Sequence, residues 1–280
     1  METLTNVLEN SLDIPHFMGI KPMSPDEFET FMIQQENERT GNLTGYDCKV
    51  CKNKGYVVKL KGGYRVCCEC KCMTIRQTIW DLESVGLGAE LEKCKFSSFK
   101  TNGEEWREGL LRTCLDFLKN GAETDWLFIG GQSQAGKTHI CTAVCSHLIN
   151  SGKKVKYLKW ADISHKLDSL KFKDSEFTDF ISEIKNYDVL YVDDFLKTST
   201  KIINGTDVPD KPEQADLKHA YQVIDARTVS GKKTIISSEH FLPEIITYES
   251  ATGGRIHRAT QNGKFAFNIG RNPERRYSLQ

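Results

Sequence analysis

The stretch Gly131-Gln132-Ser133-Gln134-Ala135-Gly136-Lys137-Thr138 matches the pattern G-x-x-x-x-G-K-[ST] at every fixed position. It follows an apolar segment, residues 126–129, and opens a helical pattern that runs to Asn150. In such a loop the backbone N–H groups surround the phosphates of a nucleotide, and the helix N-terminus adds its partial positive charge. We expect Lys137 to reach the β- and γ-phosphates and the Thr138 hydroxyl to bind Mg²⁺. The sequence therefore predicts an ATP-binding site.

A second set of polar residues is expected at the same edge of the sheet. The stretch Val189-Leu190-Tyr191-Val192-Asp193-Asp194 predicts a buried strand that ends in two carboxylates. We expect Asp193 to hold Mg²⁺, directly or through water, and Asp194 to polarise the water that attacks the γ-phosphate. Ser237 and Ser238 end a further strand pattern, and a hydroxyl at that position can orient the same water.

The pattern from residue 96 onward is that of an α/β protein. Strands are predicted at 126–129, 155–158, 188–192 and 234–237, and helices at 104–118, 137–150 and 213–229. Alternation of the two types predicts a mainly parallel sheet with helices on both faces. The polar segment 197–211 is predicted to be an exposed loop.

Arginines near the C-terminus supply further candidates for the site. In Gly253-Gly254-Arg255-Ile256-His257-Arg258, two arginines lie three residues apart on one predicted helix face. Arg255 is the candidate for an arginine finger that reaches a neighbouring subunit's nucleotide. One arginine of the tail is a candidate for contacting the nucleotide in its own subunit, and the spacing does not distinguish Arg271, Arg275 and Arg276.

Composition excludes several classes of protein. The chain has 280 residues, with 38 Lys+Arg against 38 Asp+Glu, and 39% of its residues are hydrophobic. It contains no run near 18 apolar residues, and its first residues lack the basic start and apolar core of a signal peptide. We therefore expect a cytoplasmic protein with a packed core and no membrane contact.

Cysteines are clustered in the N-terminal third. Of ten cysteines, six lie within a 25-residue span, namely Cys48, Cys51, Cys67, Cys68, Cys70 and Cys72. Such clustering in a chain without a secretory signal predicts a structural zinc site with four thiolate ligands. Cys48 and Cys51 form one ligand pair. The spacing leaves the second pair open among Cys67/Cys70, Cys68/Cys70 and Cys70/Cys72.

The cysteine pairs flank a predicted basic hairpin. Residues 55–60 have the alternating pattern of a strand, Gly62-Gly63 is typical of a tight turn, and residues 64–66 are predicted to form the second strand of the hairpin. From Tyr46 to Arg76 there are eight Lys/Arg against two acids, with three tyrosines interleaved. Such a surface is suited to nucleic acid, although modules of this kind also bind proteins.

The order of these features predicts three regions. Residues 1–45 form a segment for docking a partner, with a helix from Ser24 to Glu38; residues 46–90 form the zinc module and a linker helix; residues 91–280 form the ATPase domain.

With the phosphate loop and the cysteine cluster considered together, the chain resembles the DnaC/DnaI-like helicase loaders, a bacterial and phage family of AAA+ ATPases. The resemblance covers most of the chain, including residues 48–56 and 70–76, Phe96-Ser97-Ser98-Phe99, and the phosphate loop through His139. It implies an AAA+ fold in which His139 belongs to the nucleotide-binding segment and Cys70 and Cys72 complete the zinc site. It also implies Ser238 as the sensor residue and Arg255 as the finger, with Arg258 as its rival.

The resemblance implies a function as well. Such a protein would use ATP, Mg²⁺ and Zn²⁺, grip a hexameric replicative helicase through its N-terminal part, and place it on single-stranded DNA. Active AAA+ proteins of this kind assemble head to tail. The alternatives are a transposition helper with a similar ATPase domain, and an adaptor that binds ATP as a switch with negligible hydrolysis. Two surplus cysteines, a long polar segment after Asp194 and serine in place of asparagine at the sensor depart from the family pattern.

Overall fold

The computed structural model describes residues 24–84, 88–203, 206–272 and 274–275. These residues fall into two compact units, one ending at Cys70 and the other beginning at Lys71. Residues 1–23 of the predicted docking segment, Asn204-Gly205 of the predicted loop and the candidate Arg276 lie outside the described residues.

In the part of the first unit that the structure describes there are one helix and one hairpin. Helix α1 (Pro25–Glu38) begins with a capping box, in which Ser24 Oγ accepts the Glu27 N–H at 3.3 Å and the Glu27 carboxylate accepts the Ser24 N–H at 2.7 Å. Strands β1 (Tyr56–Lys61) and β2 (Tyr64–Glu69) pair antiparallel. Their turn is Gly62-Gly63, and both glycines have the positive φ that such tight turns require. The predicted helix and hairpin are confirmed.

The second unit is built on a five-stranded sheet. Its helices are α2 (Cys72–Ser84), α3 (Gly88–Lys93), α4 (Glu105–Asn120), α5 (Lys137–Asn150), α6 (Trp160–Ser169), α7 (Asp174–Asn186), α8 (Gln214–Ser230), α9 (Leu242–Tyr248) and α10 (Ser250–Ala259). The sheet strands are β3 (Trp126–Gly131), β4 (Val155–Lys159), β5 (Val189–Phe195), β8 (Lys233–Ser238) and β9 (Ala266–Ile269). They are all parallel, in the order β4-β5-β8-β3-β9.

Both faces of this sheet are buried, which confirms the predicted layered α/β fold. The side chains of successive strand residues point to opposite faces, and all four residues from Trp126 to Ile129 are at most 1% exposed. On one face, Phe128, Val192 and Ile236 pack in a single apolar cluster with residues of α6 and α8. Among the described residues, no helix combines the length and apolarity needed to cross a bilayer.

Two sequence predictions about this unit were incomplete. The segment 197–211, predicted as a loop, forms two short antiparallel strands, β6 (Thr200–Ile203) and β7 (Thr206–Pro209). Each strand has only four residues, TKII and TDVP, and neither shows the apolar alternation that predicts a strand. Strand β9 was missed because its four residues include a polar Asn268 and form no apolar run.

The order of the strands determines where the site lies. Strand β8 sits between β3 and β5, so the phosphate loop after β3 and the acids of β5 flank the end of β8. Since all strands run in the same direction, these three carboxyl ends meet at one edge of the sheet. Helix α2, predicted as a linker after the zinc module, contacts α3, α5 and β4 of the second unit.

Candidate functional site

The phosphate loop joins β3 to α5, and its glycines are required by geometry. Gly131 has a φ of 148°, and a Cβ atom there would lie 2.7 Å from the Ile269 backbone oxygen. Gly136 caps α5 with a φ of 82°, in the left-handed region that favours glycine. The loop therefore has the compact backbone, next to a helix N-terminus, that the sequence predicted.

Lys137 folds back over this loop. Its Nζ atom donates to the carbonyl oxygens of Gly131 at 2.9 Å and Gln132 at 2.8 Å, and the residue is 6% exposed. Burial lowers the pKa of the Lys137 ammonium, and the carboxylates of Glu239, Asp194 and Asp193, in that order, act in the opposite direction. A nucleotide phosphate would supply the counter-charge that the loop carbonyls supply only partly.

Two residues of the predicted nucleotide-binding segment are held by other parts of the unit. The Gln132 amide donates to the Asn272 carbonyl at 2.6 Å and accepts the Asn272 N–H at 2.8 Å, which ties the loop to the C-terminal tail. His139 is buried, with Nε2 lying 3.3 Å from Ser98 Oγ and 3.2 Å from the Lys95 carbonyl oxygen. Ser133 and Gln134, in contrast, are at least partly accessible.

Asp193 lies opposite the loop and is surrounded by hydroxyl groups. Its carboxylate accepts hydrogen bonds from Tyr191 at 2.8 Å, Tyr157 at 3.0 Å and Thr138 at 3.3 Å, and a short one from Ser237. Burial raises the pKa of both tyrosines, with a further contribution from Asp193, so both hydroxyls stay protonated as donors at neutral pH.

The oxygens of Thr138 and Asp193 fit a Mg²⁺ ion. Adjacent ligands of an octahedral ion with bonds of about 2.1 Å are about 3 Å apart. The observed separations of 3.3 and 3.5 Å are within a few tenths of an ångström of that value. These residues are therefore the pair that would hold the metal.

Asp194 is turned out of its strand. The register of β5 with β8 shifts between Val192 and Phe195, and Asp194 has a φ of 55°, a conformation that aspartate tolerates better than most residues. Its N–H donates to Ser237 Oγ at 3.1 Å, and its carboxylate accepts from Lys197 Nζ at 2.7 Å. Asp194 is thus placed at the rim of the site, where water has access.

The structure assigns the contact of β8 with the acids to Ser237 and not to Ser238. Ser238 is fully buried and donates to the Phe195 carbonyl oxygen at 2.7 Å, so its hydroxyl is used by the backbone. The next residue, Glu239, is also buried, and its carboxylate lies 3.8 Å from Lys197 Nζ. The direction of each side chain at the end of β8 depends on the strand register, which the sequence alone does not give.

Four residues of this site were missed by sequence analysis. Tyr157 and Tyr191 are strand aromatics, and nothing in the sequence separates them from ordinary core residues. The sequence gives a weak signal for the other two residues. Glu239 directly follows the predicted site residue Ser238, and Lys197 lies three residues after Asp194.

The candidate finger Arg255 is engaged within its own chain. Its guanidinium pairs with Asp225 at 3.0 Å, donates to the Ala251 carbonyl at 3.1 Å and stacks on the Tyr221 ring, 4.9 Å from the centroid. Arg258, its rival, is exposed. The structure thus holds Arg255 in place on α10 and leaves Arg258 accessible to solvent.

The two tail arginines that the structure describes, Arg271 and Arg275, are both half-buried. Arg271 forms a two-point ion pair with Glu244 at 2.5 and 2.7 Å and donates to the Glu239 carbonyl oxygen at 3.0 Å. It also lies over the Phe241 ring. Arg275 lies beside Gly270, where a Cβ atom would meet its Nη1 at 2.5 Å. Arg271 therefore orders the segment that follows Glu239.

Four cysteines are brought together, and they are the set implied by the family resemblance. The sulfur atoms of Cys48, Cys51, Cys70 and Cys72 all lie within 4.8 Å of one another, and all four residues are buried. Cys48, Cys51 and Cys70 belong to the first unit, and Cys72 follows two residues later. Cys67 is exposed and Cys68 is half-buried, which excludes them from the cluster.

This cluster fits zinc. Tetrahedral thiolates about 2.3 Å from one Zn²⁺ ion have their sulfur atoms about 3.8 Å apart. The sulfur atoms of Cys48 and Cys70 are 3.8 Å apart. A buried cluster of four thiols that is not joined by disulfides is the donor set of a structural zinc site.

Comparisons with known proteins agree with this geometry. The profile of the IstB-like ATP-binding protein family matches residues 89–244, more than half of the chain. The chain is 27% identical over 198 residues to the uncharacterised protein YqaM of Bacillus subtilis strain 168, which covers 68% of this chain and 60% of YqaM. It is 25% identical over 228 residues to the phage-like element PBSX protein XkdC of the same strain, which covers 76% of this chain and 79% of XkdC. This chain therefore spans less than two thirds of YqaM.

The crystal structure of the DnaC helicase loader superposes on 63% of this chain and 97% of its own, with 19% identity and a TM-score of 0.49.

Proposed function

The chain belongs to the family of IstB-like ATP-binding proteins, and on that premise we propose that it is a cytoplasmic ATPase that loads a hexameric replicative DNA helicase onto single-stranded DNA. The observation that carries the enzymatic part is the meeting of the phosphate loop with the acids of β5. Thr138 Oγ1 lies 3.3 Å from the Asp193 carboxylate, and the buried Lys137 Nζ donates to the loop carbonyls of Gly131 and Gln132.

Each of these residues has a role in hydrolysis. Lys137 leaves the loop carbonyls and neutralises the β- and γ-phosphates. Thr138 and Asp193 would hold Mg²⁺, which would supply charge neutralisation at the phosphate oxygens. Asp194, at the rim, orients the attacking water, and the Ser237 hydroxyl fixes the backbone of Asp194 at 3.1 Å.

The proposed contact with DNA is supported by an exposed aromatic residue. Phe172 lies in the connection between α6 and α7 with 94% of its surface exposed, between Lys171 and Lys173. An isolated exposed phenylalanine gains nothing from the core, whereas a base can stack on it while the lysines bind phosphates. We propose Phe172 as the ATPase unit's contact with single-stranded DNA.

The loading role is supported by the cysteine cluster together with the family resemblance. A zinc module that precedes the ATPase domain favours a helicase loader over a transposition helper with a similar ATPase domain. The helicase is the proposed partner of the N-terminal region, and head-to-tail self-association is the proposed active form.

The test is a loading assay with a purified hexameric helicase. A single-stranded circle coated with single-strand-binding protein, annealed to a labelled oligonucleotide, is unwound only if the helicase is loaded. We expect ATP-dependent unwinding with the wild-type chain and none with Lys137→Ala, which loses a charged partner of the phosphates and should bind ATP at least tenfold more weakly.

The same preparation separates the alternatives. Steady-state ATPase activity with and without single-stranded DNA distinguishes an enzyme from a nucleotide-gated adaptor. Unwinding that is unchanged without the protein, combined with a stable complex with a transposase, would replace the loader by the transposition helper.

A further inference from the structure

The β1–β2 hairpin has two faces, one of which is covered by α1. In an antiparallel pair, residues opposite each other share a face, so Tyr56, Val58 and Leu60 lie on the same face as Arg65. On this face the Tyr56 hydroxyl donates to Glu36 at 3.0 Å, and Arg65 pairs with Glu29 at 2.8 Å. The cations and donors of the covered face are thus matched by acids of α1.

The opposite face, here called the open face, is formed by Val57, Lys59, Lys61, Tyr64, Val66 and Cys68. Tyr64 is 78% exposed and Val66 is 37% exposed, and both lysines are exposed. Among the described residues, no acid lies within ion-pair distance of Lys59 or Lys61. The open face therefore presents unneutralised positive charge around an exposed aromatic ring.

This combination favours one class of partner. Two lysines beside a tyrosine and a small apolar floor match the backbone phosphates and bases of a single strand. The six residues of the face include no carboxylate, so charge complementarity selects a polyanion. Paired bases in a duplex cannot stack on Tyr64, so the fit is to unpaired bases.

We propose that the open face of the hairpin is a binding surface for single-stranded nucleic acid. This surface goes beyond the proposed function, because it lies outside the ATPase unit and needs no nucleotide. Lys59 and Lys61 contact phosphates, and Tyr64 stacks on a base. The chemistry is shared by DNA and RNA, and the assay therefore uses both.

The first test is fluorescence anisotropy of labelled dT20 and rU20 with the full zinc-loaded chain and no ATP. All variants carry Phe172→Ala, so that the contact proposed for the ATPase unit does not contribute. We expect Lys59→Glu/Lys61→Glu to bind both strands at least tenfold more weakly. The slope of log affinity against log salt should become shallower by about 1.4, the value for two phosphate contacts on a single strand.

The matched control is Arg112→Glu/Lys119→Glu, which makes the same change of charge at two exposed positions of α4. It should bind within twofold of the parent. The proposal is overturned if the hairpin variant keeps one zinc per chain and binds both strands as the control does. If that variant then also loses helicase binding, the open face is a protein-docking surface instead.

The second test isolates stacking. Tyr64→Ala should weaken binding about tenfold without changing the salt slope, and Tyr64→Phe, which keeps the ring, should bind within twofold of the parent. Equal weakening by both variants, or equal weakening for duplex and single strand, would contradict the stacking role. ATP affinity should be unchanged throughout, so failure of this surface and failure of the ATPase assignment are distinguishable.

Discussion

Asp193 is the most constrained charged residue of the site, since hydroxyl groups of Thr138, Tyr157, Tyr191 and Ser237 all donate to its carboxylate. Such bonds fix the orientation of a metal-binding carboxylate, and removal of an outer-shell partner typically costs about 10- to 100-fold in metal affinity. We accordingly propose Tyr157 and Tyr191 as positioning residues for Mg²⁺.

We expect Tyr157→Phe to raise the Mg²⁺ concentration for half-maximal ATPase activity about tenfold, because the ring keeps its packing while the 3.0 Å bond to Asp193 is lost. The activity at saturating Mg²⁺ should recover most of the wild-type value. Tyr187→Phe, at a half-buried tyrosine whose hydroxyl makes no contact with Asp193, is the control. An unchanged Mg²⁺ profile in Tyr157→Phe would show that the bond is only structural.

Asp194 should separate hydrolysis from binding. Because its carboxylate lies at the rim and pairs with Lys197, Asp194→Asn removes the carboxylate that we propose orients water and leaves the loop intact. We expect kcat to fall about a hundredfold with the Kd for ATP within twofold of wild type.

The comparison variant for Asp194 is Glu239→Gln, which changes the other carboxylate near Lys197. If Asp194→Asn hydrolyses ATP normally and Glu239→Gln does not, the catalytic carboxylate is Glu239.

At the scale of elements, the strands that could be predicted from the sequence are those with a continuous apolar run. Strands β3, β5 and β8 have continuous buried residues, so their existence and their shared edge followed from the sequence, and with them the pocket. Strand β9 and the β6–β7 hairpin have no such run, and only tertiary pairing identifies them. The register shift of β5 against β8 decides which residue at the end of β8 faces the acids: Ser237, Ser238 or Glu239. This shift cannot be predicted from the sequence.

The cysteine cluster gives an element-scale prediction. The described residues of the first unit form one helix and one hairpin, too little for a sizeable core, so zinc is expected to contribute much of the stability of this region. Purified protein should carry one zinc per chain, and Cys51→Ser should lose it and increase hydrogen exchange over residues 46–76. ATP affinity should stay within twofold of wild type.

The matched control for the zinc prediction is Cys67→Ser, because Cys67 is exposed and lies outside the cluster. It should keep zinc and normal exchange. Elemental analysis that finds iron, or no metal in freshly reduced protein, would contradict the zinc assignment, and zinc loss from Cys67→Ser would contradict the ligand set.

At the scale of the whole molecule, the proposed head-to-tail assembly would determine which arginine completes the site. A head-to-tail contact repeats the same interface around a ring or along an open spiral, so a late helix of one subunit can serve the nucleotide of the next. Arg255 is held by Asp225 at 3.0 Å, with 21% and 40% of the two side chains exposed. A partly exposed pair of this kind contributes only about 0.2–1 kcal/mol, so a phosphate across an interface can displace Asp225.

We expect Arg255→Ala to keep ATP binding and to lose turnover stimulated by single-stranded DNA, by about a thousandfold if it acts as a finger. Mixing Arg255→Ala with Lys137→Ala should restore part of the activity, because some interfaces then pair an intact loop with an intact finger. Arg258→Ala, the exposed neighbour three residues on, is tested in the same way. Rescue by mixing with Arg258→Ala alone would transfer the role to that residue. Specific activity that is independent of enzyme concentration down to the nanomolar range, with no rescue in either mixture, would show that neither arginine acts on a neighbouring subunit.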